Sequence, residues 1–493
     1  MEKPLRRHRQ SHHHLELRSL PGLAYLKSPP NYYNGNAGYE GPTYNYTRAG
    51  RLSTRAWQRG TRTSYAYGYD GAQTYIHYSD NKPAQYFQFD RQGRLQRWYN
   101  STGSFTQYTY NEAGLPVQEQ HGYTQDYHRL IRTYDDHLRL TKLEINNLST
   151  VEYAYDSVTG RLAQGTHNGK TVDYTYEPDS NHIAQLNYAN GTLTTTRHYD
   201  ALNRLTSIQN TIGNGAQTTS TDYTYNQANQ RTRATAADDS YWEYTYDDLG
   251  QVISGKRYLS DGTLVIGQQF EYGFDDIGNR TNTARGGDEQ GNGMRTSTYT
   301  TNFQNELTAY NVPSCKEIQG TANENATVKI NGFHAARQGK YFRYELPVSN
   351  LNNSVQTTVT IASTIGMETE RSTGKVFAKR ANAYAVHDAD GNLANDAQGI
   401  YTWNGENRLI AMDEIYTTWE QVANRRRLEF AYHGKGRRIT KKVYQYSTNT
   451  YSFSDLQETW IYIYDGWKLL TEIQKHPTRG QHRTYTWGPD LSG

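Results

Sequence analysis

A single cysteine, Cys315, among 493 residues leaves no intrachain disulfide to support the fold, so the redox compartment stays open and a buried free thiol is the plain reading. Long apolar runs are missing as well. No window approaches about 18 consecutive apolar residues, which excludes a transmembrane helix. The basic start (Arg6, Arg7, His8, Arg9) is followed by Glu16, Arg18 and Pro21 instead of an apolar stretch, so no Sec signal peptide is read there. Charge of one sign is also lacking, with 52 Lys+Arg against 49 Asp+Glu, and nothing demands a nucleic-acid partner. Aliphatic residues are few: with the 45 tyrosines set aside and the 42 glycines counted, the apolar class is roughly 34% of the chain, below the about 45–50% of average proteins.

What the chain has is tyrosine, 45 against 19 Phe and Trp together. Large buried surface must therefore come from rings whose hydroxyl needs a partner, which suits a half-wet sheet. The tyrosines recur in a unit, Tyr-x-Tyr-Asp/Asn-x-x-Gly/Asn-x-Leu. Copies are Tyr44-x-Tyr46 with Gly50, Tyr108-x-Tyr110 with Gly114, Tyr153-x-Tyr155-Asp156 with Gly160, and Tyr199-Asp200 with Arg204-Leu205. Others are Tyr244-x-Tyr246-Asp247 with Gly250, Tyr272-x-Phe274-Asp275 with Gly278, Trp403 with Asn407-Arg408-Leu409, and Tyr464-Asp465. Counted at the aromatic position ahead of the turn, the unit falls at 46, 69, 89, 110, 134, 155, 176, 199, 225, 246, 274 and 301, and again at 403, 432 and 464, a period near 21. That period is too short for a helix pair and matches one β-hairpin, with two strands of about seven residues and two short turns.

The unit explains the hairpin. Rings at i and i+2 share one face of a strand. The Asp or Asn that follows bonds the backbone two residues on and starts a turn, and Gly or Asn at its end accepts positive φ. Leu opens the return strand. Intervening segments rich in Thr, Tyr, Val and Ile have strand chemistry, and no convincing amphipathic helix longer than two or three turns is present. The expected fold is all-β, an array of antiparallel hairpins. An arginine beside the Leu (Arg51, Arg94, Arg139, Arg161, Arg204, Arg280, Arg408) reads either as a stripe for anionic ligands or as guanidinium packed on a neighbouring Tyr ring, and the second is the stronger. The Tyr ladder reads as packing between hairpins before it reads as a sugar-stacking surface.

These units resemble the YD repeats of bacterial Rhs proteins, toxin-complex C components and teneurins, over residues of roughly 40–310 and 385–493, best at Tyr199–Leu205, Tyr272–Arg280 and Trp403–Leu409. The resemblance implies a β-ribbon wound into a curved or partly closed shell. It implies a non-enzymatic structural role in a system that encapsulates or presents a C-terminal toxin or effector, and a secreted or cell-envelope location. Shell-type relatives end their core at an Asp-Pro self-cleavage motif. No Asp-Pro pair occurs in this sequence, so a carried effector and self-cleavage are not expected from it. The rhythm breaks between Tyr310 and about Tyr384, where an Asn331-Gly332 turn and the alternating Val355–Ile361 read as a small inserted β-domain. The expected organisation is a polar leader over 1–40, repeats over 41–310, the insert over 311–384, and repeats over 385–493. About 30 strands at roughly 4.8 Å each give a ribbon about 145 Å long, one turn at a diameter of about 45 Å. Further repeat sequence or a partner chain is therefore expected to complete the shell, with toxin or effector cargo and glycans as other candidate partners. A carbohydrate-binding adhesin, with the insert as its binding module, is the alternative function.

Other chemistry is sought and not found. Asp388-Ala389-Asp390-Gly391-Asn392 opens like a calcium loop, but its glycine is misplaced and Gly399 stands where Glu is required. Gly165–Lys170 has three residues between glycines where a phosphate loop needs four, and Gly213-x-Gly215 lacks its third glycine. His12-His13-His14 lies in a polar tail, and neither a Gly-x-Ser-x-Gly elbow nor His-Glu-x-x-His occurs. No catalytic, cofactor-binding or metal-binding residue is assigned, and no cofactor is expected.

Overall fold

The computed structural model describes residues 42–488, apart from 81, 124–125, 147, 214, 216, 397, 416–424 and 477–479. The leader 1–40, its basic cluster and its His triplet lie outside the described residues.

Among the described residues, thirty-three strands form one antiparallel sheet. Each pairs with its neighbours in sequence, as Leu95–Asn100 does with Phe105–Tyr110, and that strand in turn with Pro116–Tyr123. The sheet is a meander: a ribbon one strand wide along its length, its two rims made of turns. Most strand residues are only half-buried, because a single layer has no interior of its own.

The turns of one rim follow a single construction. At the corner residue Asp200 the N–H donates to the Arg204 carbonyl at 2.9 Å, and the Asn203 N–H returns to the Asp200 carbonyl at 2.9 Å. The Asp200 carboxylate accepts from the N–H groups of Leu202 and Arg204 at 2.9 and 3.0 Å and pairs with the Arg204 guanidinium at 2.7 Å. These bonds hold the Asp200 carboxyl below the usual carboxylate range. The residue closing the turn needs positive φ, supplied by Gly114 at 82° and by Asn203 at 61°. The register slips by one residue beside every such corner, so Tyr199 faces Leu205 and Trp403 faces Leu409, the signature of a β-bulge. Asp90, Asn111, Asp135, Asn226, Asp247, Asp275, Asp388 and Asn404 repeat the backbone pattern, and Asp156 does so with one residue more before Gly160. Thr47 does the same for Tyr46 and Gly50.

The aromatic before each corner ties one hairpin to the last. Its hydroxyl donates to the carbonyl of the residue that opens the return strand one repeat earlier: Tyr110 to Leu95 at 2.7 Å, Tyr155 to Leu140 at 2.9 Å, Tyr199 to Ile183 at 3.1 Å, Tyr225 to Leu205 at 2.6 Å and Tyr246 to Arg231 at 2.6 Å. Trp403 uses its indole N–H on Leu393 in the same way, at 2.7 Å. A phenol or indole makes this bond and a phenyl ring cannot, so the corners that follow Phe89 and Phe274 form without it. Over the same ring lies the arginine of the preceding corner: Arg94 over Tyr110 at 4.4 Å, Arg139 over Tyr155 at 4.5 Å, Arg204 over Tyr225 at 4.9 Å and Arg408 over Tyr432 at 5.2 Å. The arginine column is packing between repeats. Arg280 sits one place late and covers Tyr272 instead, because Asn279 takes the pairing with Asp275. Changing Tyr225 to Phe removes one such bond without altering shape, and should lower the unfolding free energy by about 0.5–1.5 kcal/mol in urea titration.

Three expectations are corrected. Tyr69 is not a pre-corner aromatic. Gly68 is the corner and Tyr67, which bonds the Leu52 carbonyl at 2.8 Å, takes the ladder place, while Tyr69 projects fully exposed from the turn. The two tyrosines two apart gave either register, and the glycine at 71 decided it. Asp465 is not a corner either. It ends the strand Ser452–Asp465, faces Lys468 across the tight turn Gly466-Trp467, and its carboxylate points away to Arg132. At Asn302 the pre-corner position is Thr301, so that hairpin lacks the ring.

After Leu307–Asn311 the chain leaves the ribbon and rejoins it at Asn382–His387, which pairs directly with the strand left behind. Between them Cys315–Thr321, Tyr341–Pro347 and Ala336–Gln338 form a three-stranded sheet. Thr327–Ile330, Phe333–His334, Val355–Ile365 and Glu368–Ala378 form a four-stranded one. A core of Ile318, Val328, Ile330, Phe342, Leu346 and Val359 lies between them. This unit rests on the ribbon through Gln338, which donates to the Leu264 carbonyl at 2.9 Å and accepts from the Ile266 N–H at 3.0 Å, and through Tyr341 packed on Val265 and Ile266.

Candidate functional site

The side chains most deeply buried in the ribbon collect where its late repeats come back against its early ones. This seam is ordered. The corners at 388 and 404 meet the turn at 57: Arg59 pairs with Asp390 at 3.0 Å and Asp388 at 3.2 Å and donates to Asn407 at 2.8 Å, 348 residues away, while Arg55 pairs with Glu406 at 2.9 Å. The two carboxylates that suggested a calcium loop thus face a guanidinium. Next along, the corner residue His433 stacks on Trp98 with ring centroids 4.6 Å apart. Further on, Arg132 pairs with Asp465 at 2.7 Å, 333 residues away, and with Glu119 at 3.0 Å. Arg437 approaches Glu119 at 3.6 Å and donates to the Gly466 carbonyl. Beyond them Leu130, Leu143, Ile145 and Val151 pack on Ile463 and Leu470.

Two corners fit only because they carry glycine second. A Cβ at Gly405 would stand 3.1 Å from the Tyr78 ring and 3.2 Å from the Thr63 hydroxyl, and one at Gly434 would fall on the Trp98 indole and the Gln85 amide. Trp98 is 1% exposed and donates to Gln85 at 3.1 Å, and Gln85 donates to the Tyr78 hydroxyl at 2.6 Å, so it has no room to retreat. Gly434→Ala should therefore cost about 1–3 kcal/mol, read as a lower thermal midpoint with Trp98 moved toward solvent.

A cavity of about 220 Å³ remains between the two passes of ribbon, walled by Trp98, Phe105, His121, His433, Arg437, Ile461 and Tyr462. Burial, with Arg437 and Lys435 nearby, lowers the His433 pKa to about 2, and burial with His128 and Arg437 nearby lowers that of His121 to about 3. Both imidazoles are neutral at physiological pH. His433 Nδ1 accepts the Lys435 N–H at 3.0 Å, so its proton sits on Nε2, which has no partner among the described residues. Burial likewise pushes the hydroxyls of Tyr153 and Tyr174, each two residues before a pre-corner tyrosine, up to about 12.

Of the repeat residues named from sequence, the corner sets (Tyr110 with Gly114, Tyr155 with Asp156 and Gly160, Tyr199 with Asp200, Arg204 and Leu205, Tyr246 with Asp247 and Gly250, Asp275 with Gly278, Trp403 with Asn407, Arg408 and Leu409) lie at successive turns along one rim and do not converge. Tyr44, Tyr108, Tyr153 and Tyr244 stand two residues before the pre-corner position. Asn407, Tyr108, Tyr153, Tyr464 and Asp465 reach the seam: Asn407 accepts from Arg59, Tyr108 donates to Glu119, Tyr153 packs on the Ile463 cluster, Tyr464 lines the cavity beside it and Asp465 pairs with Arg132. Sequence reasoning missed Glu119, Arg132, Arg437, His121 and His433. The one local signal was His433 itself, a histidine at a corner that most often holds Asp or Asn.

This geometry defines a class, a hairpin-repeat β-protein whose ribbon curves until it meets itself. The family model described as RHS Repeat matches residues 89–125, which span the corners at Asp90 and Asn111, and the same corner recurs along the ribbon on either side. The chain thus carries an RHS repeat within its ribbon of hairpins. Its structure is similar to that of the TcdB2-TccC3-Cdc42 complex chain (TM-score 0.49, 15% identity, covering 90% of this chain and 24% of that one). It is similar also to the Photorhabdus luminescens Tc holotoxin pore (TM-score 0.48, 16% identity, 91% and 23%). The chain spans about a quarter of the length of the solved chains it matches. No curated protein matches it in sequence.

Proposed function

We propose that this chain is a non-enzymatic wall segment of an RHS-type shell, of the kind that encloses or presents a toxin or effector, working in a secreted or cell-envelope setting. The observation that carries the reading is the seam, where a ribbon of hairpins returns to dock on itself about 330–350 residues on. A wall needs such a lateral joint, and the repeat side chains are spent on building it. Residues 315–378 are read as a separate module seated on the wall. The corner rim leaves Val158, Leu202, Leu249, Ile277 and Phe303 exposed at five of its turns, the surface that a further ribbon or partner chain would cover. Among the described residues no helix is long and apolar enough to cross a membrane.

Electron microscopy of the purified chain tests the reading. A curved wall around a central low-density space is expected, and association should increase with concentration as the exposed rim is covered. An extended rod, or a solid globule that stays monomeric at every concentration, contradicts it.

A further inference from the structure

The seam cavity has the features of a ligand site that the wall itself does not use. Its volume, about 220 Å³, is below the roughly 300–1,000 Å³ of drug-sized sites and matches a one-ring molecule. Its walls are aromatic and aliphatic, from Phe105, Tyr462 and Ile461. His433, 2% exposed, holds its Nε2–H on the side away from the corner with no acceptor among the described residues, and an unmet buried donor is costly. Three cationic residues, Arg437, Lys442 and Lys475, line the space against one carboxylate, Glu119, which Arg132 and Arg437 share.

We propose that this cavity binds a small aromatic carboxylate. The ring lies among Phe105, Ile461 and Tyr462, and the carboxylate accepts the His433 Nε2–H within the positive surroundings of Arg437 and Lys442. Because the walls come from both passes of ribbon, the ligand bridges the joint and binding favours closure. The proposal stands independently of the shell reading, since it needs only the joint.

Phenylacetate is the probe, titrated calorimetrically into the full chain and followed by thermal melting. Binding at or below about 1 mM with a raised thermal midpoint is expected, with phenylacetamide, which lacks the charge, at least about tenfold weaker. His433→Asn keeps an acceptor for the Lys435 N–H, as Asn404 does for the Glu406 N–H at its corner, while its shorter amide places no N–H where the imidazole Nε2–H stood. It should weaken phenylacetate about tenfold or more while the unliganded midpoint is retained. Lys442→Gln, placed on a ribbon strand outside the corner, gives a second reading if His433→Asn does not fold, and should weaken phenylacetate severalfold with phenylacetamide unchanged. The proposal is overturned by no phenylacetate binding at several millimolar, by equal binding of the amide, or by unchanged affinity in the folded variants.

Discussion

Glu119→Ala should lower the unfolding free energy by about 3–5 kcal/mol, the largest single-residue effect expected in the ribbon. Glu119 is 3% exposed and is the carboxylate between two buried guanidiniums, those of Arg132 and Arg437. Removing it leaves Arg132 with Asp465 alone and Arg437 with no carboxylate, in a place where water cannot replace it. Forming such a buried network is not itself strongly stabilising, since desolvation opposes the attraction, but breaking it strands charge. Denaturant titration measures the loss, and Glu112→Ala, exposed at the Asn111 turn, is the control expected to stay within about 0.5 kcal/mol. Equal stability of Glu119→Ala and the parent chain would show that the seam is not closed in solution.

Mild acid should open the same joint. His433 and His121 have folded-state pKa values of about 2 and 3, far below the ordinary 6.5, because burial and neighbouring Arg437 disfavour their charged forms. Above about pH 6.5 both rings are neutral whether the chain is folded or not, and their full contribution is present. As pH falls below that, the unfolded chain takes up protons that the folded seam refuses, so stability declines toward the folded pKa values. At about 1.4 kcal/mol per pH unit per group, the pair should lose on the order of 3–5 kcal/mol between pH 7 and 4.5. The corner carboxylates Asp135, Asp156, Asp200 and Asp275 also have lowered values, with turn hydrogen bonds as the stabilising cause. Their contribution is lost only below about pH 4, so the two windows separate. Thermal midpoints taken from pH 7.5 to 4.5 should fall steadily in the parent chain and less in His433→Asn. A flat profile over that range would mean that the imidazoles are solvated.

The local parts of this structure were legible because they are encoded within a few residues of one another. Tyr199, Asp200, Asn203 and Arg204 carry a corner within six consecutive positions, and their chemistry admits little else. Where the local code was ambiguous the reading slipped. Two tyrosines flanking Gly68 offered two registers, and Tyr464-Asp465 carried the corner's letters while Gly466-Trp467 formed a tighter turn. The hydroxyl-to-carbonyl ladder accounts for tyrosine at most pre-corner positions, with Phe89 and Phe274 as exceptions, although composition by itself showed only that the hydroxyls needed partners.

The seam was not legible, because its members are brought together by curvature. Glu119 reads as one more strand glutamate, and Arg132 as one more arginine, until a ribbon of given twist returns after more than three hundred residues and sets Asp465 and Arg437 beside them. The sequence by itself determined the hairpin, its period, its corners and the contact between consecutive repeats, since strand alternation and turn chemistry act over a few residues. The tertiary structure alone decided which repeats face one another across the joint, which charges are buried there, and that a cavity with an unmet histidine donor lies between them. Small angles between neighbouring strands add up along the whole ribbon, and no short stretch of sequence contains their sum.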